Sequence, residues 1–244
     1  MPRRPPADRL ARLIDCATQV FITLGYRRTQ MADVAAALGV AKGTLYLTVE
    51  SKEALFDLVV RHADAEQATH VPVLPVPTPA PGSTLEAVRQ RLGEAVVGPA
   101  LVAAFGDASR RDARAELTGV VRELYALMSK QRTAIKLIDR CAHDYPDLAA
   151  LWFRAGRGGL LTALEHVLTA RSAAGLLRPL PDAAMAARLV LETVALWAVH
   201  RHWDPAPQVL DDAVVETTVV QMLVAALVPD EPPRRRLRRE KRKR

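Results

Sequence analysis

The chain has 244 residues, half of them hydrophobic, which is enough for one or two domains with a substantial core. Its two cysteines, Cys16 and Cys141, lie far apart in sequence, which argues against a disulfide framework and against a cysteine metal site. The net charge is +3 over residues 1–61, −4 over 62–233 and +8 over 234–244. This distribution favours nucleic-acid binding by one part of the chain and excludes a uniformly basic protein.

Targeting and membrane signals are absent from the pattern. Residues 2–6, which precede the first amphipathic segment, are rich in proline and arginine and do not resemble a signal peptide. The apolar run 217–228 is too short to cross a bilayer and contains Gln221. We therefore expect a cytoplasmic protein that contacts no membrane.

The N-terminal segment predicts one long helix after a short arm. Residues 1–7 form a basic arm whose proline content favours flexibility. Between residues 8 and 24, apolar residues recur at intervals of three and four, which predicts an amphipathic helix, and Gly25 ends it. Arg27 and Arg28 follow; they either contact phosphates or remain solvated surface charges.

Residues 29–53 predict two short helices joined by a tight turn. Thr29 is expected to cap the first helix, because its hydroxyl can accept a hydrogen bond from a free amide of the first turn. Gly39 follows that helix where a left-handed residue is needed. A second helix over 42–48 completes a helix-turn-helix. Packing of the two helices for stability alone is the alternative interpretation.

The residue pattern in this stretch resembles the DNA-binding domain of the TetR (tetracycline-repressor) family. Order and spacing agree over roughly residues 8–61. The positions that carry the resemblance are Thr29, Ala32, Ala35, Gly39, Val40, Lys42, Gly43, Thr44, Leu45, Tyr46, Ser51, Lys52, Glu53 and Leu55. The resemblance implies a second, recognition helix that enters the major groove of DNA.

Two positions depart from the usual family pattern. Ala41 stands where the family usually has serine, which removes a helix cap worth about 1 kcal/mol. Thr48-Val49 replaces the usual pair of an aromatic or histidine followed by phenylalanine. We therefore expect DNA binding through an altered set of contacts. The predicted DNA-binding residues are Arg28, Thr29, Gln30, Lys42, Gly43, Thr44, Tyr46, Thr48 and Lys52.

The remaining chain divides at a proline-rich segment. A fourth helix is expected to run from Lys52 to about Ala68, so that residues 8–68 form the DNA-binding domain with its linking helix. Residues 69–83 are expected to form an extended, mobile linker, because the five prolines of 71–83 exclude a helix. Residues 84–230 then form a helical regulatory and dimerisation domain.

No strand-like alternation occurs in that second domain, and the whole chain is predicted to be all-α. Six helices are expected, over 84–104, 112–129, 131–143, 146–172, 182–203 and 207–228. The last two are apolar nearly all round, so they must be covered on more than one side. The resemblance implies that a second copy of the chain covers them in a four-helix bundle. The predicted interface residues are Leu189, Leu196, Trp197, His200, Val215, Val219 and Met222.

The resemblance also implies a small-molecule pocket among the middle helices. Candidate lining residues are Phe105, Tyr125, Met128, His143, Trp152 and Trp197. Aromatic and methionine residues at helical spacing are also typical of an ordinary core, so that alternative stays open. His200 and His202 are two residues apart and point apart on a helix, so no metal site is expected. No nucleophile, base and acid are spaced in the sequence as in a catalytic triad. We therefore expect neither an enzyme nor a bound cofactor.

The basic tail, residues 231–244, is expected to be disordered, because its charges repel one another. It either adds unspecific phosphate attraction or remains solvated. The first hypothesis for the chain is a dimeric repressor that binds operator DNA and is released by a small apolar or aromatic effector. The alternative is an architectural DNA-binding protein without a small-molecule input.

Overall fold

The computed structural model describes residues 7–64, 73–95, 98–106 and 112–230, and the predicted all-α fold is confirmed there. An isolated bridge between Val49 and Val76 is the one β pairing in these ranges. The α-helices are α1 Ala7–Leu24, α2 Met31–Leu38, α3 Lys42–Tyr46, α4 Lys52–His62, α5 Ser83–Ala95, α6 Pro99–Ala104, α7 Ala113–Lys130, α8 Arg132–Ala142, α9 Pro146–Ala149, α10 Gly158–Ala173, α11 Ala183–Ala198 and α12 Asp212–Leu227. The arm before residue 7 and the tail after residue 230 lie outside the described residues.

Helices α1 to α4 form an N-terminal head around the buried face of α1. Phe21 on that face is fully buried, and its ring meets the Phe56 ring of α4 edge-on at 5.1 Å between centroids. The turn between α2 and α3 forms as predicted, because Gly39 takes φ +72° and its N–H returns to the carbonyls of Ala35 and Ala36.

The predicted cap of α2 was wrong. Thr29 is 1 % exposed, and its hydroxyl donates to the carbonyl of Gly25 at 2.6 Å instead of capping the next helix. Gln30 occupies the N-cap position, and its N–H donates to the Asp33 carboxylate at 2.8 Å. The Thr29 N–H also donates to the Gly25 carbonyl, at 3.3 Å, so both polar groups of Thr29 hold the loop that follows α1.

Helix α4 ends at His62, several residues before the predicted end near Ala68. Asp64 adopts a positive φ of 60°, and its carboxylate accepts from the N–H groups of Thr133 at 3.2 Å and Ala134 at 2.7 Å. Those amides open α8, for which Gln131 supplies no side-chain cap. The chain leaves α4 early because Asp64 satisfies the free amides of another helix. Residues 65–68 lie outside the described residues.

The single helix predicted over 84–104 was also wrong, since α5 ends at Ala95 and α6 begins at Pro99. The Glu123 carboxylate accepts from the N–H groups of Ala100 and Leu101, so a side chain from α7 caps α6. Glu123 also occupies the space that a Cβ on Gly98 would need. A continuous helix would remove both arrangements.

The predicted helix 146–172 is helical throughout, but its glycine-rich segment departs from α-helical hydrogen bonding. A π-helical stretch, Ala150–Arg157, joins α9 to α10. A Cβ on Gly156 would lie 3.3 Å from both methyl groups of Leu92, so the glycine permits the close approach of α5.

The last two helices are shorter than predicted. Helix α11 ends at Ala198 and is followed by a 3-10 turn, His200–Trp203. Helix α12 starts at Asp212 rather than near residue 207, because Asp211 caps it by accepting from the N–H groups of Ala213 and Val214. Both helices pack with α7, and α11 also packs along α10.

The buried side chains fall into two clusters whose division does not follow the chain order. One comprises α6, α7, α10, α11 and α12. Beside it, the buried Arg171 of α10 pairs with Glu116 of α7, with Nε and Oε2 2.6 Å apart. The other cluster comprises the four head helices together with α8, and it also includes Val88 of α5, Leu148 of α9 and Leu151 of the π-helical stretch. Leu137 and Cys141 of α8 are fully buried in this head cluster. Helix α8 therefore packs with the head, although it follows the proline-rich segment.

Gly25 is a close contact between the head and the turn after α8, and it can be tested by substitution. Its φ is +86°, and an added Cβ would lie 2.5 Å from Asp144 Oδ2 and 2.7 Å from Arg140 Nη1. The Arg140 guanidinium donates to the Leu24 carbonyl at 2.8 Å, so Gly25→Ala would also disturb this bond. We expect a loss of about 2 kcal/mol in the free energy of unfolding, measured by urea denaturation.

Gly39→Ala is the matched control. Its φ is +72°, but no atom lies within 4 Å of the added Cβ, so only the backbone strain of about 1 kcal/mol should appear. Equal losses in the two variants would contradict the proposed contact between Gly25 and the turn.

Candidate functional site

The outer face of α3 carries the residues predicted to contact DNA. Lys42 and Gly43 at its start are exposed, and Tyr46 at its end is 40 % exposed. Leu45 is buried in the head core, and α3 packs against α2. A short helix with a buried anchor and a free polar face has the geometry for entry into a major groove.

The departures from the usual family pattern have visible structural results. Ala41 is the N-cap residue of α3 and makes no side-chain capping bond. Val49 is fully buried in the head core, so this aliphatic side chain fills the place of the expected aromatic residue. Thr44 and Thr48 are half-buried beside the exposed face.

The other predicted DNA contacts separate into free and engaged side chains. Arg28 and Gln30 are exposed next to α2, whereas Thr29 between them presents almost no surface. Lys52 is engaged within the head: its ammonium donates to the Tyr26 carbonyl at 3.2 Å and lies 4.7 Å from the centre of the Tyr26 ring. This contact fixes the α1–α2 loop against the start of α4.

Tyr26 is the centre of an aromatic cluster between the head and the rest of the chain. Its ring lies 4.8 Å from that of Phe56 and 4.9 Å from that of Tyr145, which is in the turn after α8. Burial, followed by the charge of Glu53, raises the pKa of Tyr26 to about 12. The phenol is therefore neutral at physiological pH and acts as a packing group.

A cavity of about 310 Å³ lies between α7, α8, the π-helical segment and α11. Its volume is at the lower end of the range typical of small-molecule sites. Most of its wall is apolar, and a few charged or polar groups interrupt it. The lining residues are Leu92, Leu124, Leu127, Met128, Gln131, Ile135, Asp139, His143, Trp152, Phe153, Gly156, Arg157, Leu160, Leu191, Glu192, Ala195 and His200.

Three of the six residues predicted to bind a ligand line this cavity: Met128, His143 and Trp152. The Trp152 indole N–H donates to Asp139 Oδ1 at 2.9 Å, which orients the ring against the cavity. The other three predicted residues, Phe105, Tyr125 and Trp197, do not line it.

Each of those three has another place in the structure. Phe105 is 46 % exposed and lies 5.4 Å from the ring of His166. Tyr125 is buried at 3 % exposure, and its hydroxyl donates to the Trp197 carbonyl at 3.4 Å. Trp197 packs against the second core. Helical spacing alone does not separate these core positions from cavity positions.

The polar part of the cavity wall contains side chains that the sequence analysis missed. Arg157 and Glu192 form an ion pair on the cavity wall, and Arg188 Nε lies 3.6 Å from the same carboxylate. Arg188 and Glu192 are the only charges of 185–199, which is a signal that could have identified this wall. His200, predicted as an interface residue, also lines the cavity, and burial lowers its pKa.

The predicted interface residues divide into exposed and buried groups. Leu189, Leu196 and Met222 are 54 %, 50 % and 68 % exposed, which is unusual for large apolar side chains on two neighbouring helices. Val215 and Val219 are each 6 % exposed and pack inside the chain's own second core.

Two searches of the described residues gave negative results. No group of three or more His, Cys, Asp or Glu side chains in this part of the chain could hold a metal ion. No helix within the described ranges is long and apolar enough to cross a membrane.

Comparison with known proteins gave two family matches. The profile described as bacterial regulatory proteins, tetR family, matches residues 13–59, which cover most of α1 to α4. The profile described as AefR-like transcriptional repressor, C-terminal domain, matches residues 115–226, from α7 to α12. None of the curated proteins matches the sequence.

Solved structures with the same fold are distant in sequence. The ketosteroid transcriptional regulator KstR2 of Mycobacterium tuberculosis is 15 % identical with a TM-score of 0.54, and the match covers 93 % of this chain and 98 % of that one. A regulatory protein of the tetR family from Rhodococcus RHA1 is 16 % identical with a TM-score of 0.53, over 93 % and 100 % of the chains. Together the two profiles match more than half of the residues, and the chain belongs to the TetR family of DNA-binding transcriptional regulators.

Proposed function

We propose that the protein is a homodimeric repressor that leaves its operator when a small apolar or aromatic molecule occupies the cavity. Residues 8–68 would bind chromosomal DNA in the cytoplasm, and residues 84–230 would bind the effector and a second subunit. The observation that carries this proposal is the position of α8, whose two faces meet the cavity and the head core.

The free face of α3 supports the DNA-binding part. Lys42 and Tyr46 are exposed at opposite ends of the helix, and no acidic residue lies within Lys42–Tyr46. A recognition helix contacts base edges with its first residues, while flanking polar groups contact phosphates. Arg28 and Gln30 are free to make such flanking contacts.

The exposed apolar side chains of α11 and α12 support the dimer. A repressor of this class needs two recognition helices about 34–36 Å apart to reach successive major grooves. Leu189, Leu196 and Met222 form an apolar surface on the last two helices. In a single subunit this surface is exposed to water, and its burial would be favourable. A second copy of the same surface would bury it in a symmetric interface.

The apolar wall of the cavity supports the effector class. Leu124, Leu160 and Leu191 approach it from three different helices, and Trp152 contributes an aromatic surface. The charged groups on the wall are largely engaged, since Arg157 pairs with Glu192 and Asp139 accepts from Trp152. A compact apolar or aromatic molecule therefore matches the wall better than a highly charged one.

Helix α8 gives a direct route from the cavity to the head. Ile135, Asp139 and His143 are spaced by four residues and line the cavity, with His143 just after the last helical turn. Leu137 and Cys141 lie on another face, in the head core. An occupant that displaces the cavity face would move the head face as well, because a helix moves as one body in a close-packed core.

The alternative of an architectural DNA-binding protein without an effector is less well supported. The profile that matches the body describes transcriptional repressors, and the cavity provides a place for an input. A crystal structure of protein purified without added ligand would separate the two hypotheses. Residual density in the cavity would support the repressor, and a cavity filled by collapsed side chains would favour the alternative.

Removal of the Lys42 side chain should weaken specific DNA binding without unfolding the protein. Lys42→Ala removes an exposed cation from the start of α3, and we expect about tenfold lower affinity for the regulator's own promoter DNA. Fluorescence anisotropy at several salt concentrations would measure the affinity. Lys130→Ala, which removes an exposed lysine from the end of α7, is the matched control. Equal affinities for both variants would contradict the assignment of α3.

A charge on the exposed face of α12 should break the proposed dimer. Met222→Glu places a carboxylate on a side chain that is 68 % exposed in the single chain, so the subunit fold should survive. We expect a monomer by light scattering and weaker operator binding, because burying an unpaired charge in an interface is unfavourable. Val102→Glu, at a position on α6 that is 55 % exposed, should leave the dimer intact. A Met222→Glu dimer would exclude this surface as the interface.

A neutral aromatic dye, 1-aminoanthracene, should bind in the cavity. Met128→Glu should weaken its binding about tenfold, because the variant places a carboxylate on the apolar wall. Met185→Glu, at a position on α11 that is 53 % exposed, is the control and should not alter the dye titration. Dye fluorescence measures binding, and unchanged binding in Met128→Glu would place the dye elsewhere.

A further inference from the structure

The proline-rich segment that precedes α5 is attached to the end of the recognition helix. We call residues 73–82 the proline strap. The Val76 N–H donates to the Thr48 carbonyl at 2.8 Å, and the Glu50 N–H donates to the Val76 carbonyl at 3.0 Å. These two bonds form the isolated bridge beside Val49. The expected mobile linker is therefore, over these residues, a strap bonded to the head.

Thr78 adds two side-chain contacts to the same place. Its N–H donates to Glu50 Oε2 at 2.9 Å, and its hydroxyl donates to the hydroxyl oxygen of Ser51 at 2.8 Å. Ser51 is the N-cap of α4 and accepts from the Ala54 N–H at 3.0 Å. The strap thus bonds to each end of the short connection between α3 and α4.

The other end of the strap is fixed to α4 through α5. The Thr84 hydroxyl donates to Asp57 Oδ1 at 2.8 Å. The Arg91 guanidinium donates to the carbonyls of Val60 at 2.6 Å and Ala63 at 3.0 Å. The strap is therefore held at two places: at residues 48–51, between α3 and α4, and at its C-terminal end, where α5 is bonded to α4.

Helix α3 is short, and its end is held by backbone bonds to the Leu45 carbonyl and by the strap. It has five residues, Lys42–Tyr46, and Ala41 supplies no side-chain cap. Helices this short are unstable unless tertiary contacts hold them. Leu47, which follows the helix, is 73 % exposed, so packing fixes this part of the backbone mainly through Leu45 and Val49.

We propose that the proline strap positions the recognition helix, and that Val76 and Thr78 thereby determine DNA-sequence specificity without contacting a base. This inference rests on the proposed function, in which α3 binds the major groove. The strap residues, 73–82, include no charged side chain, so the strap adds no attraction for phosphates. Its loss should therefore lower specific binding and leave non-specific binding nearly unchanged.

The strap also holds a negative charge beside the proposed DNA surface. Glu50 is exposed, and one of its carboxylate oxygens accepts from the Thr78 N–H. That bond directs the carboxylate toward the strap. The strap therefore fixes both the backbone that follows α3 and the orientation of the Glu50 carboxylate.

The test begins with a DNA sequence selected by the wild-type protein from a pool of random duplexes. Affinities for that duplex and for an unrelated duplex are then compared in Thr78→Ala and Thr78→Ser. Thr78→Ala removes the bond to Ser51, and Thr78→Ser keeps the hydroxyl. We expect Thr78→Ala to reduce the ratio of specific to non-specific affinity about tenfold, and Thr78→Ser to restore it.

A second pair of variants separates the strap's hydrogen bond from its packing. Val76→Pro removes the N–H that the Thr48 carbonyl accepts, whereas Val76→Ala keeps it and shortens the side chain. The larger loss of specificity should follow Val76→Pro, with the melting temperature and non-specific affinity close to those of Val76→Ala.

The outcomes distinguish the two levels of the proposal. If the wild-type protein selects no sequence, both the proposed function and the role of the strap are overturned. If it selects one and all four variants keep the wild-type specificity ratio, only the strap proposal is overturned. Equal losses of specific and non-specific affinity would likewise overturn it, since that result indicates a general loss of the folded head.

Discussion

The packing of α8 between the cavity and the head is the constraint on which the rest of the structure depends. Leu137, Ile138 and Cys141 are buried with the head helices, and burial of the Cys141 thiol raises its pKa to about 12, so it remains a neutral packing group. Ile135 and Asp139 lie on the cavity side of the same three turns. A close-packed interior cannot move one face of so short a helix without the other. The head and the cavity therefore share a structural element.

The turn after α8 extends this shared element to the proposed DNA surface. Tyr145 stacks on Tyr26, and Arg140 bonds to the carbonyl of Leu24 at the end of α1. The Lys52 ammonium donates to the Tyr26 carbonyl and lies over the Tyr26 ring. A movement of the turn would thus reach the α1–α2 loop and the start of α4 through direct contacts. This continuity gives the proposed release of DNA a physical basis.

Local sequence signals predicted the parts of the fold that local interactions determine. The helix-turn-helix was predicted from apolar spacing and from Gly39. The left-handed φ of +72° at Gly39 agrees with that prediction. The predictions were wrong where distant partners decide. The end of α4 depends on Asp64 capping α8, and the break before α6 depends on Glu123 of α7. The strap is bonded to Thr48, a pairing that proline content alone cannot indicate.

The candidate cavity was predictable in its location and only partly in its residues. The family resemblance implied a pocket among the middle helices, and Met128 and Trp152 were chosen there as aromatic or methionine side chains. The same choice included Tyr125, which is core. Periodicity assigns a residue to a helix face, but the neighbouring helices decide whether that face meets a core or a cavity. The isolated charge of Glu192 was visible in the sequence, but its pairing with Arg157 depends on which helices lie side by side.

Helix α11 joins the cavity to the proposed dimer surface. Leu191 and Ala195 line the cavity, whereas Leu189 and Leu196, seven residues apart, are exposed on another side of the same helix. Seven residues are about two helical turns, so these two leucines form one stripe. An effector in the cavity would press on a helix that also carries the proposed dimer surface. Effector binding would therefore act on each head through α8 and on the spacing of the two heads through α11, and both displacements would oppose simultaneous binding to successive grooves.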